Sequence, residues 1–208
     1  MSISYPLNLL DSFPGWSTEF DLFYRQEFSR TAGGSTIVKN LGTPLWQASF
    51  QSTVMLPNVL DTWRARMKAL EGGMQPFMGR SMSRCFPIAY PNGAGLGNVK
   101  AIKIDSVGVD NKSLTLINVP VWHVVSVGDY VQIGPRLYQV IEEAVSNAAG
   151  RTTRFEVRPH LAPGTAEGNI VTLVKPSVAM IIVPGSLSTA TQAITGRGSI
   201  TFHAIESR

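Results

Sequence analysis

The sequence predicts a mainly β (α+β) protein, in which a β-sheet domain with one packed α-helix carries an inserted small β-barrel. Three observations predict it. Short segments that alternate apolar and polar residues recur along the 208-residue chain, and this period of two is that of half-buried strands. One segment, residues 58–71, has the spacing of an amphipathic helix instead. A stretch rich in Gly, Asn and Pro at residues 91–98 separates two regions of different texture.

The first region opens with strands. Residues 19–28 alternate loosely, residues 32–35 (Ala-Gly-Gly-Ser) are typical of a turn, and residues 36–39 begin another short strand. The clearest strand is residues 45–54, whose predicted apolar face consists of Trp46, Ala48, Phe50 and Val54. Its other face is polar and uncharged, with Gln47, Ser49, Gln51 and Thr53. That face suits packing against another sheet or another subunit as well as it suits water.

A helix follows this strand. The residues that share its apolar face are Val59, Leu60, Trp63, Met67 and Leu70. Pro57 before the segment and Gly72-Gly73 after it are residues typical of a helix start and stop. Residues 74–78 then form a short return strand, so the first region predicts a sheet with a helix across one face.

The second region consists of segments in which apolar and polar residues alternate, and no segment in it has the spacing of a helix. Ile102 and Ile104 begin a strand, Leu114 and Leu116 share a face of the next, and residues 170–174 form the last. Between them, residues 127–159 predict a meander that turns at Gly134-Pro135-Arg136. Its third strand alternates Thr153, Phe155 and Val157 with Arg154, Glu156 and Arg158. Several short strands without a helix favour a small closed or partly open β-barrel of the OB or SH3 type.

The C-terminal residues supply two more strands, 178–183 and 199–205. A two-stranded hairpin is marginally stable alone, so we expect both strands to join the sheet begun in the first region. The predicted domains are therefore residues 1–98 together with 176–208, which form a discontinuous sheet domain, and residues 99–175, which form the inserted barrel.

The residues predict no catalytic, cofactor-binding or metal site, and therefore no enzyme. The histidines His123, His160 and His203 are far apart in sequence, and none has a second ligand at metal spacing. Cys85 has no His or Asn pattern around it, and Asp129 is better explained by turn geometry. Residues 93–97 are rich in glycine but lack the spacing of a dinucleotide loop. Glu142 and Glu143 are adjacent, so in a strand they would point to opposite faces.

Composition favours assembly with other subunits. Charged residues make up 15% of the chain, below the typical share of about 25%. The net charge of +4 is dispersed rather than concentrated. A nucleic-acid-binding barrel remains the alternative, and its candidate residues are Tyr130, Tyr138, Phe155, Arg136, Arg154 and Arg158. Phe155, however, alternates with Arg154 and Arg158 and cannot share a strand face with them.

The sequence predicts no membrane segment and no secretory signal. No apolar run approaches the roughly 20 residues of a membrane span, and the first ten residues lack a basic segment followed by a long apolar run. A single cysteine excludes an intrachain disulfide, so the chain needs no oxidising compartment.

Three stretches carry a resemblance to a known family. They are "WQASFQSTVMLPNVLDTWRARMKALEGGMQPF" at residues 46–77, "VGDYVQIGPRLYQVIEEAVSNAAGRTTRFEVRP" at residues 127–159 and "GSITFHAIESR" at residues 198–208. With this layout the chain resembles the distal tail proteins of long-tailed (siphovirus-type) bacteriophages, or related phage baseplate and tail-tip proteins.

The resemblance implies a structural virion protein at the tail tip, assembled in the host cytoplasm. It implies a homo-hexameric ring that joins the tail tube protein to the tail hub and tip proteins, with a tail-tube-like β-sandwich lining the channel. The barrel would lie outside and anchor receptor-binding or side-fibre proteins, although its small size leaves open that it only thickens the ring. Nucleic acid would meet the protein only as the genome passing through the channel, and no cofactor is implied.

Overall fold

The structure is a computed structural model, and it describes residues 3–208. Strands make up 38% of it and accompany one α-helix, which confirms the mainly β class predicted from the sequence. The chain divides into two compact units. Unit 1 comprises the chain up to Met78 together with Ala179–Arg208, and unit 2 comprises Gly79–Val178.

The helix and strands, in chain order, are β1 (Gly15–Phe23), β2 (Gln26–Arg30), β3 (Thr36–Asn40), β4 (Leu45–Ser52), α1 (Pro57–Lys68), β5 (Phe77–Gly79), β6 (Lys103–Val107), β7 (Ser113–Ile117), β8 (Val124–Val125), β9 (Tyr130–Ile133), β10 (Arg136–Val140), β11 (Ala144–Val145), β12 (Phe155–Arg158), β13 (Val171–Thr172), β14 (Val178–Ile182) and β15 (Thr201–Glu206).

Unit 1 is built on a five-stranded sheet with the strand order β1-β4-β15-β14-β5. The prediction that the two C-terminal strands join the first sheet is confirmed, because β15 pairs with β4 on one side and with β14 on the other. The inner face of the sheet is aromatic. Phe50 stacks on Phe202 with 5.1 Å between ring centroids, and Phe77 meets both rings edge-on.

The helix α1 joins this aromatic cluster through Phe13. Trp63 meets Phe13 edge-on with 5.4 Å between ring centroids, and Phe13 meets Phe202 in the same way at 5.7 Å. Leu60, Trp63 and Met67 are buried as predicted. The helix therefore covers the inner face of the sheet with the side chains that its 3.6-residue period aligns.

Several details of unit 1 differ from the sequence prediction. Val59, assigned to the apolar helix face, is exposed. The helix ends at Lys68 rather than at residue 71, because the chain tightens into a 3₁₀ turn at Glu71–Gly73. Val54 is also exposed, because β4 ends at Ser52 and Met55 takes the buried position instead. Residues 19–28 are not one strand, since β1 and β2 are separate.

Unit 2 contains a six-stranded antiparallel sheet in the order β13-β9-β10-β12-β7-β6. The two ends of this sheet meet: Ile104 N–H donates to the Asn169 carbonyl and Val171 N–H donates to the Ile102 carbonyl, each at 3.0 Å. The sheet is therefore a nearly closed barrel. The predicted inward residues Ile102, Ile104, Leu114, Leu116, Phe155 and Val157 all lie in its core. Thr153, predicted to share the face of Phe155, is exposed, and Thr152 is buried in its place.

Residues 79–98, which the sequence analysis assigns to the first domain, group with unit 2 in the structure. Local contacts explain this placement. The Ile88 N–H donates to the Asp129 carboxylate at 2.7 Å, and Tyr90 stacks on His123. The Tyr90 hydroxyl also accepts a hydrogen bond from the Val124 N–H at 3.0 Å. A segment that reads as a linker by composition is thus part of a packed unit.

Between residues 3 and 208, no helix has both the length and the apolar character needed to cross a membrane.

Candidate functional site

A groove of about 600 Å³ crosses the outer face of the unit 1 sheet. Two carboxylates line it, those of Glu19 and Asp21 on β1, together with the imidazole of His203 on β15. The other lining residues are Phe20, Gln47, Ala48, Ser49, Val183, Ala204 and Ile205. Ligand sites in proteins typically enclose about 300–1,000 Å³, so the groove is large enough to receive several side chains of a partner.

The register of three strands produces the groove. Glu19 on β1 and His203 on β15 both lie opposite Ser49 on β4. A row across the sheet therefore runs from a carboxylate through a short hydroxyl side chain to an imidazole, and the small central residue leaves a depression. Glu19 and Asp21 are two residues apart on one strand, so both carboxylates project from the same face.

The charge of the groove favours a cationic ligand. Glu19 and Asp21 are exposed, and the Asp21 carboxylate accepts a hydrogen bond from the Leu22 N–H at 2.7 Å. The backbones of His203 and Glu19 are separated by two strand spacings, or about 10 Å. Within residues 3–208, no group of three or more His, Cys, Asp or Glu side chains is placed to hold a metal ion. The arrangement supports the binding of a basic segment.

The second feature of unit 1 is an arm, which we define as residues 24–44. It extends the β1–β4 hairpin, and its own strands β2 and β3 pair from Gln26↔Asn40 to Arg30↔Thr36. A hydrogen bond from the Leu41 N–H to the Arg25 carbonyl, 2.8 Å long, closes the base of the arm. Every residue of both strands is exposed. The arm is therefore a two-stranded ribbon without an apolar layer beneath it.

The two faces of the arm differ in character. Phe28 lies opposite Val38, and these residues are 73% and 58% exposed. Arg30 shares their face, because it lies two residues from Phe28 on the same strand. The opposite face carries Ile37 and a cross-strand pair of opposite charge, Glu27 and Lys39. The Phe28 face is thus apolar with a positive charge, whereas the Ile37 face is balanced in charge.

Burial shifts the pKa values of a histidine and an aspartate in unit 2. His123 stacks on Tyr90 with 4.6 Å between ring centroids, and burial lowers the pKa of His123. Asp129 accepts hydrogen bonds from the N–H groups of Ile88 and Ser126. Burial raises the pKa of Asp129, while these hydrogen bonds and the positive charge of Arg84 act in the opposite direction. The turn role predicted for Asp129 agrees with its bond to Ser126, and its bond to Ile88 adds a link that the sequence did not predict.

The candidate residues for nucleic-acid binding are dispersed in unit 2. Tyr138 and Phe155 are fully buried, so their rings cannot stack on a base. The Tyr138 hydroxyl instead accepts a hydrogen bond from the Ala162 N–H at 3.1 Å. Arg158 pairs with Glu156 at 2.7 Å, and Arg154 donates to the Ser106 hydroxyl at 3.2 Å. Tyr130 and Arg136 are partly buried.

The remaining residues considered from sequence lie in separate surroundings. His160 and His203 are exposed. The Cys85 thiol lies 3.5 Å from the Met82 carbonyl, to which it donates a weak hydrogen bond. Glu142 and Glu143 precede β11 and are outside any strand. Of the four tryptophans, Trp46 and Trp63 are core residues, whereas Trp16 and Trp122 are exposed.

Sequence reasoning missed both the groove and the arm. The alternation of Glu19 and Asp21 with Phe20 and Leu22 is visible in the sequence and would have placed the two acids on one face. Nothing local, however, indicates that His203 lies across Ser49 from Glu19, because strand register is a tertiary property.

Comparison with known proteins yields no match for this chain, either among protein-family models or among curated protein sequences.

Proposed function

We propose that this protein is a structural subunit of a bacteriophage virion, a distal tail or baseplate hub protein that joins the tail tube to the tail tip. Its copies form a homo-hexameric ring, and it holds peripheral tail proteins. The arm is the observation that carries this proposal, and the resemblance of residues 46–77, 127–159 and 198–208 to tail-tip proteins supplies its biological setting.

The arm supports assembly because it is poorly suited to a solitary protein. A two-stranded ribbon is marginally stable on its own in water. This ribbon also exposes the large apolar residues Phe28, Ile37, Val38 and Leu41. Exposed apolar residues grouped on one projecting element are typical of interaction surfaces. A subunit that inserts the arm into a larger particle would remove these residues from water.

The edge of the unit 1 sheet supports the same proposal. β1 pairs with β4 on one side, and within residues 3–208 no strand pairs with its other side. Unpaired edges invite uncontrolled association, which proteins avoid by covering them. A closed ring of subunits covers such surfaces without further growth.

A reconstruction of intact tails from the virus that carries this chain tests the proposal. We expect six copies in a ring at the distal end of the tail tube; density for this chain at any other place would contradict the proposal. A monomer in dilute solution would not, because a ring subunit can require its tail-tube neighbour in order to close.

A matched pair of variants sharpens this test. Replacing residues 27–39 with a short Gly-Asn turn should leave unit 1 folded but abolish the ring in tails. Ile194→Ser removes a different apolar residue of unit 1, one that is 93% exposed and lies outside the arm, and it should assemble normally. If both variants form normal tails, the arm does not support the proposed role.

A further inference from the structure

We propose that the arm of one copy docks into the sheet-face groove of a second copy, with Phe28 and Val38 facing the groove. This inference deepens the proposed function and rests on one part of it, namely that copies of this chain associate. It names the two surfaces that meet. Both belong to unit 1.

Charge complementarity selects a second copy as the occupant of the groove. The arm contains Arg25, Arg30 and Lys39 against a single acidic residue, Glu27. The groove contains Glu19 and Asp21 and no Lys or Arg. Opposite charges on two surfaces steer encounter and fix register, and here each copy supplies both members of the complementary pair.

Charge also selects which face of the arm docks. The Phe28 face includes Arg30 and no acidic residue: its members are Gln26, Phe28, Arg30, Thr36, Val38 and Asn40. The opposite face pairs Glu27 with Lys39, so it has no net positive charge and would bring one carboxylate toward Glu19 and Asp21, which is unfavourable. The Phe28 face is therefore the one that fits an acidic groove.

The shape and polarity of the groove suit this face. Its centre is the small side chain of Ser49, and Val183 and Ile205 provide apolar lining on the side away from the acids. Phe28 and Val38 lie directly across from each other on the arm, so both can enter one depression together. Arg30, two residues along β2, is then placed to reach a carboxylate at the rim.

Docking of this kind is head-to-tail. The arm and the groove are different surfaces, so each copy uses its arm on one neighbour and its groove on the other. Repeated head-to-tail contacts close into a ring when the rotation between copies divides the circle, and otherwise grow into a filament. The proposed hexamer requires an interface of this heterologous class.

Complementation between two full-length variants tests the inference. The arm variant carries Phe28→Ser with Arg30→Ser, and the groove variant carries Glu19→Lys with Asp21→Lys. All four side chains are exposed, so both variants should fold, which circular dichroism verifies. Sedimentation velocity over a concentration series at low salt then measures the self-association of each variant and of an equimolar mixture.

We expect each variant alone to associate about tenfold or more weakly than the natural chain, as for the loss of a central interface residue. The mixture should recover a dimer and stop there, because only one intact arm and one intact groove remain per pair. Raising the salt concentration should weaken the recovered dimer, since exposed charges are screened.

Two control variants match these changes in type. Ile194→Ser with Lys100→Ser removes an exposed apolar residue of unit 1 that lies outside the arm and one exposed positive charge of unit 2. Glu143→Lys with Glu167→Lys reverses two exposed acids in unit 2. Both controls should associate like the natural chain. The inference is overturned if the mixture shows no recovery, if either control loses association equally, or if the natural chain stays monomeric throughout the series.

Failure of the docking inference and failure of the proposed function give different results. A ring at the tube end in intact tails, without recovery in the mixture, would leave the function standing with a different interface. Recovery in the mixture, with no ring at the tube end, would leave the docking standing and overturn the tail role.

Discussion

The arm and the barrel sheet of unit 2 are made from the same kind of sequence. Both consist of short antiparallel strands in which apolar and polar residues alternate. In the barrel the apolar set is fully buried, as for Phe155 and Val157 on β12. In the arm, the apolar residues Phe28 and Val38 face the same side of the ribbon, yet they remain 73% and 58% exposed.

The difference lies in what each ribbon has beside it and beneath it. The barrel sheet meets itself through the bonds between residues 102–104 and 169–171, so its inner face encloses a core and its ends are paired. Within the described part of the chain, the arm has two strands, neither of which pairs with a third strand, and every residue of both is exposed. Alternation therefore defines a strand, whereas the neighbouring strands decide whether its apolar face is buried in this chain or in a partner.

The largest expected effect comes from truncating one phenylalanine in each region. Phe155→Ala should lower the free energy of unfolding by about 3–5 kcal/mol, because the ring is fully buried and leaves a cavity. Phe28→Ala should change it by less than about 0.5 kcal/mol in dilute protein, as is usual for exposed positions. Urea titration measures both. Equal losses would mean that the arm already packs against its own chain.

Two glycine substitutions compare close packing in the barrel with open space in the arm. Gly150 has φ of 69°, and a β-carbon there would lie 2.6 Å from the Val119 carbonyl oxygen. Gly150→Ala should cost about 2–4 kcal/mol from backbone strain and steric conflict together.

Gly34 has φ of 82° and no atom within 4 Å of the added carbon. Gly34→Ala should cost about 1 kcal/mol or less in global unfolding, because the turn of the arm can open locally. Thermal unfolding of the two variants provides the comparison, and a larger loss for Gly34→Ala would contradict it.

The pH dependence of stability compares a buried histidine, His123, with an exposed one, His203. Burial lowers the pKa of His123 in the folded protein below its ordinary value of 6.5, so folding favours the neutral ring. The stability that depends on this residue is fully present above the unfolded pKa, and it is lost as the pH falls through the lower folded pKa. His123→Phe keeps an aromatic ring against Tyr90 but cannot titrate. Its free energy of unfolding should therefore fall less between pH 7 and pH 5 than that of the natural chain.

The matched control for this experiment is His203→Phe on the exposed face of the unit 1 sheet. Urea titrations at a series of pH values give the slope for each protein. A slope in His123→Phe as steep as in the natural chain would show that other groups account for the acid sensitivity.

The sequence predicted the elements better than their surroundings. The helix begins at Pro57, one residue before the predicted start, and the turn at residues 32–35 separates β2 from β3 as predicted, because proline and glycine act through the local backbone. Six core positions of the barrel, among them Phe155 and Val157, also followed from alternation, whereas Thr153 did not. The groove did not, since Ser49 and His203 are far apart in sequence and meet only through sheet register. The segment around Tyr90 reads as a linker because its stacking partner, His123, cannot be identified from local composition.

The smallest effect concerns two exposed aromatic residues whose backbones differ. Trp122 is 68% exposed with φ of 58°, in a turn closed by a 3.2 Å hydrogen bond from the His123 N–H to the Pro120 carbonyl. A left-handed conformation costs a residue with a β-carbon about 1–2 kcal/mol, and glycine avoids this cost. Trp122→Ala keeps the strain and removes the indole, whereas Trp122→Gly removes both.

The glycine variant of Trp122 should therefore be more stable than the alanine variant by about 1 kcal/mol, after allowing for the greater freedom of glycine in the unfolded chain. Phe28 lies in the extended strand β2, where glycine is less favourable than alanine by about 0.5–1 kcal/mol. Phe28→Gly should accordingly be the less stable of its pair, and the sign of the Gly–Ala difference reverses between the two regions. All four variants are measured by urea titration, and subtracting the alanine value from the glycine value at each position cancels the effect of losing the aromatic side chain. The same sign at both positions would show that the turn at Trp122 relaxes out of its left-handed conformation in solution.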